Sequence, residues 1–262
     1  MLDWFLKKFA IGLGVWFTIF FTSTCFCESQ VRGEPSEQRH HIGFGPDFLL
    51  YKWNKMVGAV KSKGSQLFGG IRLKYEYLSP GLFYLGIDSV SFVAIKGYGI
   101  RNNGQPLDSS HDADRRLGHI DLRLGCTFSR GSHGCLISPF LGIGRYLFQD
   151  DQCHYCHTIF KQDIFDYVSG GIYSKCRLAD RLDLGCRLKV FYVFSERVLF
   201  RFQGKQIKEE KKLCGGECSV PIVWHMSRTK HWDVGLEPYV LALSFAKEQM
   251  AFGAKLLFEF NF

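Results

Sequence analysis

Apolar residues recur at every second position through most of the chain from residue 42 to residue 262. A period of two predicts β-strands with one apolar face, because successive side chains of a strand point to opposite sides. The clearest stripes are Leu67-Gly69-Ile71-Leu73-Tyr75-Tyr77, Ile120-Leu122-Leu124-Cys126-Phe128, Ile137-Pro139-Leu141-Ile143, Leu182-Leu184-Cys186-Leu188-Val190-Tyr192 and Phe252-Ala254-Leu256-Phe258-Phe260-Phe262. We predict ten strands, at 42–53, 65–78, 82–96, 115–128, 135–148, 164–177, 182–196, 219–227, 232–245 and 252–262. The eighth contains Pro221, so eight strands with a very long fourth loop are the alternative.

The opposite face of these predicted strands carries charged residues of both signs. They are Arg72, Lys74, Glu76, Asp121, Arg123, Arg187, Lys189, Glu237, Lys255 and Glu259. A polar face of this kind meets water in a soluble sandwich and lines the lumen in a membrane barrel, so the alternation fits both. Strand length separates the two classes, because soluble strands average about five or six residues and tilted membrane strands need about nine to eleven. Most of the predicted strands exceed ten residues.

The connections between the strands alternate in length. Short turns fall near residues 79–81, 130–134, 179–181 and 228–230, and longer connections cover 54–64, 98–114, 150–163 and 198–218, with a shorter one at 246–251. Membrane barrels have short turns on the periplasmic side and long loops outside. The sequence therefore predicts an all-β fold, a transmembrane antiparallel β-barrel.

Composition agrees with this fold class. Aromatic residues make up 16% of the 262 residues, with 28 glycines and 7 prolines, which is typical of a β-rich protein. The mean hydropathy is −0.05, and no apolar run after residue 28 is long enough for a spanning helix. These features exclude a polytopic helical membrane protein.

The N-terminus has the pattern of an export signal. Lys7 and Lys8 precede the apolar residues 9–21, and small residues follow at 22–24. We predict a signal peptide over residues 1–27, a polar linker over 28–41 and a barrel domain over 42–262. An uncleaved anchor helix over residues 9–26 and a lipoprotein acylated at Cys25 are weaker alternatives. Export makes disulfides permissible.

The last strand carries a family resemblance. Alternate apolar residues that end in a carboxy-terminal phenylalanine, here Phe258, Phe260 and Phe262, resemble the insertion signal of bacterial outer-membrane β-barrels. The resemblance implies a place in the bacterial outer membrane, with two partners: the membrane lipid and the barrel assembly machinery, which reads this strand. It implies nothing specific about activity.

Eight cysteines follow the predicted signal peptide. Cys126 and Cys135 flank one predicted turn, and Cys176 and Cys186 flank another, so each pair faces across a hairpin as a disulfide or as two reduced thiols. The other four, in predicted outer loops, are candidates for loop-to-loop bridges or disulfides to other envelope proteins: Cys153, Cys156, Cys214 and Cys218. This usage resembles the cysteine-rich surface proteins of bacteria whose outer membranes are cross-linked by disulfides.

One cysteine pair also matches a cofactor motif. Cys153-His154-Tyr155-Cys156-His157 has the spacing of c-type haem attachment. The acidic residues before it offer no apolar pocket for haem, and zinc at Cys153, Cys156 and His154 or His157 requires reduced sulfur in an oxidising compartment. We therefore predict no cofactor and no metal.

Two patterns raise the possibility of an enzyme. His225-Met226-Ser227 resembles the His-x-Ser pair of outer-membrane lipid A deacylases, but Arg228 departs from that motif, and strand parity turns His225 and Ser227 inward. Acid and imidazole groups of the kind a rim protease needs occur at His111, Asp112, Asp114, Asp151 and His154. Short matches of this kind arise often by chance. We favour a non-enzymatic barrel, with a barrel hydrolase as the alternative.

The charged lumen gives the main functional prediction. Ten strands enclose a narrow interior in which opposite charges pair, so we predict a mostly plugged scaffold or surface protein, or a narrow channel whose basic excess favours anions. The chain has a formal net charge of +8, but its basic residues alternate with acidic ones. We therefore predict no nucleic-acid partner.

Overall fold

The computed structural model describes residues 39–57, 60–79, 83–101, 114–130, 135–154, 157–200, 206–207, 213–226, 232–243 and 249–262. Within these ranges, no helix is long and apolar enough to cross a membrane. The regular structure of these described residues is entirely β.

Ten antiparallel strands form the wall, two of them in two segments. They are β1 (Arg39–Val57), β2 (Val60–Ser79), β3 (Phe83–Arg101), β4 (Asp114–Gly125 and Phe128–Arg130), β5 (Cys135–His154), β6 (His157–Ala179), β7 (Leu182–Phe200), β8 (Leu213–Ser219 and Ile222–His225), β9 (Trp232–Leu243) and β10 (Gln249–Asn261). The two-residue segment Gln206–Ile207 also pairs with β7.

Pairing between the first and last strands closes the sheet. β1 pairs with β2 on one side and with β10 on the other, where Phe44 lies opposite Phe258. Closure leaves no edge strand, which a barrel in lipid requires because unpaired backbone groups there are costly. The predicted barrel and its count of ten strands are confirmed, and the eight-strand alternative is wrong.

The eighth strand tolerates its proline because it is interrupted there. The carbonyl of Pro221 accepts a hydrogen bond of 2.7 Å from the Gly185 amide, and the Val220 amide donates to the Pro238 carbonyl at 3.0 Å. The strand therefore stays paired to β7 and β9 through the interruption. Its start at Leu213, six residues before the predicted boundary, brings Cys214 and Cys218 into the wall.

Side chains of the wall alternate between the lumen and the outside. Apolar side chains point outward on all ten strands and form an exposed belt, with Ile71 69% and Leu141 67% accessible. Further members of this belt include Phe44, Phe48, Leu73, Ile87, Leu122, Ile143, Val168, Leu188, Phe194, Trp224, Leu236 and Phe258. We call this surface the apolar belt.

Several strands are longer than the sequence predicted. β1 begins at Arg39, and residues 54–57 and 60–63 of the predicted first loop are paired strand, as are residues 150–154 and 157–163 of the predicted third loop. Those predicted loop boundaries are wrong, because backbone pairing continues where the apolar alternation has ended. The 19-residue β1 would rise about 48 Å at about 3.3 Å per residue and a tilt of about 40°. An apolar band is about 25 Å tall, so the strands extend about 20 Å beyond it.

Candidate functional site

The lumen holds one connected set of ion pairs. Six cations and seven carboxylates belong to it: Arg72, Lys74, Arg123, Arg187, Lys189 and Lys255, with Asp47, Glu76, Asp88, Asp121, Glu217, Glu237 and Glu259. We call this set the charged layer. Eight of the ten strands contribute to it, all except β5 and β6.

Arg187 on β7 joins two distant strands at the centre of this layer. Its guanidinium lies 2.6 Å from Glu76 of β2 and 3.1 Å from Glu237 of β9. Glu237 also accepts from Lys255 at 3.0 Å and from the Ser219 hydroxyl at 2.6 Å. Since β2 and β7 are not neighbours in the sheet, these contacts cross the lumen.

The remaining pairs extend the layer around the lumen. Lys189 lies 3.1 Å from Glu217 and 3.4 Å from Asp121. Arg72 binds Asp47 at 2.7 Å and Asp88 at 2.5 Å. A further cation, Lys74, bridges Glu76 at 3.0 Å and Glu259 at 3.3 Å. The charges therefore cross-link the wall from inside, which buried ions require to offset the loss of hydration.

Sequence reasoning placed ten of these residues and missed three. Asp88 is the one charged residue among the apolar and small inward residues described on β3, and Asp47 follows Pro46 in a strand whose apolar alternation is weak. Counting every second position along each strand would have assigned both residues to the inner face. The third, Glu217, was assigned to a loop because β8 begins earlier than predicted. With these three included, carboxylates outnumber cations by one, so the predicted basic excess of this network is wrong.

Aromatic rings fill the lumen above the charged layer, on the side of the longer connections. This aromatic layer consists of Leu49, Phe68, Val90, Phe92, Tyr146, Phe165, Tyr167, Phe191, Val193, Tyr239, Leu241 and Ala251. Tyr51, Ala94, Leu117 and Phe148 pack against it. Apolar side chains therefore occupy the lumen next to the ion pairs.

Two tyrosine hydroxyls join the layers. Tyr167 donates to Asp121 at 2.9 Å, and Tyr239 donates to Asp47 at 2.9 Å. Glycines opposite the rings make room for them, because a Cβ at Gly144 would collide with the Tyr167 ring and one at Gly253 with the Tyr239 ring. The aromatic layer is thereby fixed in position by the charges below it.

The turn end of the lumen contains a second, smaller apolar cluster and a histidine between two aspartates. Leu78, Tyr84, Phe140 and Tyr173 form the cluster. His225, which is buried, has Nδ1 2.8 Å from Asp233 and Nε2 3.0 Å from Asp183. Both ring nitrogens of His225 therefore face carboxylates inside the barrel. Its predicted partner Ser227 lies outside the described residues.

The cysteines pair differently from the predicted hairpins. Cys135 on β5 and Cys176 on β6 form a disulfide that spans 41 residues of sequence. The predicted Cys126–Cys135 and Cys176–Cys186 pairs are wrong, since Cys126 lies opposite Pro139 and Cys186 lies opposite Ser174. The exposed thiols of Cys126, Cys186 and Cys218 are free.

The remaining candidates are only partly described. Cys153 and His157 lie in paired strands on either side of residues 155–156, while Cys156 lies outside the described residues. Among the side chains that the structure describes, no three His, Cys, Asp or Glu groups are positioned to hold a metal. His111 and Asp112 also fall outside, and the backbones of Asp114 and Asp151 lie opposite each other on β4 and β5, with His154 at the end of β5.

The predicted insertion signal lies at the seam of the barrel. β10 is paired on both sides, to β1 and β9, and the side chains of Phe258 and Phe262 are exposed on the outer wall. The Phe262 ring stacks on His40 with 5.1 Å between centroids. The last strand therefore closes the barrel against the first.

No protein-family model matches the sequence, and no curated protein matches it either. Among solved structures, the chain is similar to the outer membrane protease OmpT from Escherichia coli, with a TM-score of 0.53 and 11% identity over 89% of this chain and 99% of that one. It also matches the translocator domain of the autotransporter NalP from Neisseria meningitidis, with a TM-score of 0.46 and 8% identity over 98% of each chain. At such identities, the similarity to OmpT shows the fold alone. This chain therefore has the fold of the bacterial outer-membrane β-barrels.

Proposed function

We propose that this chain is a non-enzymatic protein of the bacterial outer membrane, an envelope scaffold and surface protein whose lumen is closed by its own side chains. In this proposal residues 1–27 direct export, and the strand ending in Phe262 is read by the barrel assembly machinery. The outer-membrane lipid surrounds the apolar belt.

The observation that carries this proposal is the filling of the lumen by two successive layers. A permeating ion needs water or polar groups along its whole path. The charged layer offers mainly groups already paired with one another, and the aromatic layer above it offers mostly apolar surface. Both layers favour a scaffold over the narrow channel that is the alternative.

The length of the strands supports a role at the cell surface. The wall extends about 20 Å past the height of an apolar band, by the same strand geometry as above. This extension lies on the side of the longer connections, which in membrane barrels face outward. The free thiols of Cys126, Cys186 and Cys218 lie on the outer wall towards the turn end, so the proposed surface role does not depend on them.

A conductance measurement tests the closed lumen. The mature chain is refolded, checked for a heat-dependent shift in gel mobility, and added to planar lipid bilayers. We expect no unit conductance steps, and insertion is verified separately by flotation of the protein with lipid vesicles. As a matched control, the double variant Tyr167→Ala/Phe191→Ala removes two rings of the aromatic layer and is expected to be the more conductive protein.

Reproducible steps of uniform size from the unaltered protein would overturn the scaffold proposal and establish the channel. The hydrolase alternative receives no support from the described residues, because His225 is buried between Asp183 and Asp233.

A further inference from the structure

Three charged side chains point outward from adjacent strands at one position on the outer wall. Arg145 on β5 and Arg197 on β7 both contact Asp166 on β6, with Arg145 Nε 2.5 Å from Asp166 Oδ1 and Arg197 Nη2 3.1 Å from Oδ2. The two arginine side chains are each 46% exposed, and that of Asp166 is 15% exposed. We call these three residues the outer arginine patch.

The patch lies at the upper edge of the apolar belt. On β5 the outward residues just below Arg145 are Leu141 and Ile143, and the corresponding residues are Val168 on β6 and Phe194 on β7. Arg145 comes ten residues after the start of its strand, which matches the about nine to eleven residues that cross the hydrocarbon. Asp166 lies 13 residues before the end of β6 and Arg197 lies 15 residues after the start of β7, so the patch lies at or beyond the outer limit of the hydrocarbon.

The outward charged side chains that the structure describes at this edge of the belt are mostly basic. Lys52 and Arg116 are also exposed at the outer edge, on β1 and β4, and Asp166 is the one acid there among the outward side chains whose exposure the structure describes. At the turn end the outward residues include the aromatic Trp224, Trp232 and Phe262, and two arginines, Arg177 and Arg181, are exposed as well. Aromatic side chains occur at both interfaces of a membrane, whereas a row of basic side chains favours an interface whose lipids carry negative charge.

The geometry of the patch suits phosphate. Each guanidinium carries five N–H donors, and the Asp166 carboxylate accepts from only some of them. The other donors of Arg145 and Arg197 are therefore left for a ligand. Two cations around one carboxylate leave a net charge of +1. Arginine binds phosphate through paired, charge-assisted hydrogen bonds.

We propose that the outer arginine patch binds a phosphate group of a phosphorylated glycolipid of the outer leaflet, with Asp166 as a positioning residue that holds the two guanidinium groups at one spacing. The proposal rests on the outer-membrane placement proposed above. It does not depend on whether the lumen conducts, so the two proposals fail in different experiments.

The test of the patch compares the binding of diphosphorylated lipid A and of dephosphorylated lipid A to the refolded protein in detergent. Native mass spectrometry measures both. We expect the phosphorylated lipid to be retained on the order of tenfold more strongly, since charge-assisted hydrogen bonds are the strong ones. The variant Arg145→Gln/Arg197→Gln should lose that preference. The matched control Lys52→Gln/Arg116→Gln removes the same charge from the same edge and should stay within about twofold of the unaltered protein, as its cations are not clustered.

Each other outcome contradicts the proposal. An equal loss in the control variant would mean nonspecific attraction to the basic edge, and displacement of the lipid by equimolar inorganic phosphate would mean that the patch recognises phosphate without the membrane. A heat-dependent gel shift in every variant establishes that the barrel has folded.

The variant Asp166→Asn separates positioning from charge. Because it raises the net charge of the patch, a purely electrostatic site would bind the phosphorylated lipid more tightly. If Asp166 positions the guanidinium groups, the variant binds it on the order of tenfold more weakly. Tighter binding would overturn the positioning role.

Discussion

The charged layer and the aromatic layer fill the same lumen by different physical means. Arg187 and Phe191 lie four residues apart on the same face of β7, with 2% and 4% of their surfaces exposed. The arginine is held by two particular carboxylates on other strands, whereas the phenylalanine packs against rings and requires only the right volume. Ion pairs therefore specify which strands meet across the lumen, and the rings keep the lumen filled.

The layers also depend on each other. Without the aromatic layer, water from the outer end would reach the ion pairs and weaken their attraction, since charges interact less strongly at a higher dielectric. Without the charged layer, the hydroxyls of Tyr167 and Tyr239 would lose their acceptors. Substitutions in each layer distinguish these contributions.

The largest effect is expected in the charged layer. Arg187→Met removes the cation shared by Glu76 and Glu237, and breaking a buried pair from one side costs about 3 to 5 kcal/mol. We expect the free energy of unfolding to fall by that amount, measured by urea titration of the refolded protein in lipid vesicles.

A second substitution checks the cause of that loss. Adding Glu237→Gln to Arg187→Met removes one carboxylate left without its arginine, so the double variant should be less destabilised than the sum of the two single changes. Additive losses would show that Arg187 acts through its volume, and the two layers would then not differ in the way described above.

An intermediate effect is expected in the aromatic layer. Phe191→Leu shortens a ring that lies 5.2 Å from Tyr167 and 5.8 Å from Tyr146, by centroid distances. We expect a loss of about 1 to 2 kcal/mol, because the site keeps an apolar side chain of smaller size. The same urea titration measures it, and Phe194→Leu on the exposed outer face of β7 serves as the control. A loss above that of Arg187→Met would reverse the ranking of the layers.

The smallest effect is expected at the contact between the layers. Tyr167→Phe removes the hydroxyl that donates to Asp121, and the loss should be about 1 kcal/mol. Tyr239→Phe removes the equivalent donor to Asp47 and should cost a similar amount. If both variants were as stable as the unaltered protein, the tyrosine hydrogen bonds would not contribute to holding the two layers together.

Much of the architecture could be predicted from the sequence, because alternation reports directly on which face of a strand a residue occupies. Arg72, Lys74 and Glu76 were assigned inward from the apolar stripe between them, and all three are buried. Alternation did not reveal the strands where it was interrupted or had ended. Pro221 hid the start of β8, and with it Glu217, while the paired residues 150–154 were taken for a loop.

Which side chains contact each other was harder to predict than which face of a strand each one occupies. Cys135 and Cys176 have the outward parity that the sequence indicated, but the register between β5 and β6, not the hairpin turn, makes them neighbours. His225 was also placed inward correctly, and only the structure shows that Asp183 and Asp233 hold both of its nitrogens.

The sequence by itself determined that this chain forms long strands with an apolar face outward and a charged face inward, because a period of two depends only on the local geometry of the backbone. Their number, ten rather than eight, was decided by the structure. Tertiary structure alone decided which charges meet. Lys74 and Glu259 are 185 residues apart, and Tyr239 and Asp47 are 192 apart. Closure of the sheet brings such residues to one level of the lumen, and strand register sets their heights.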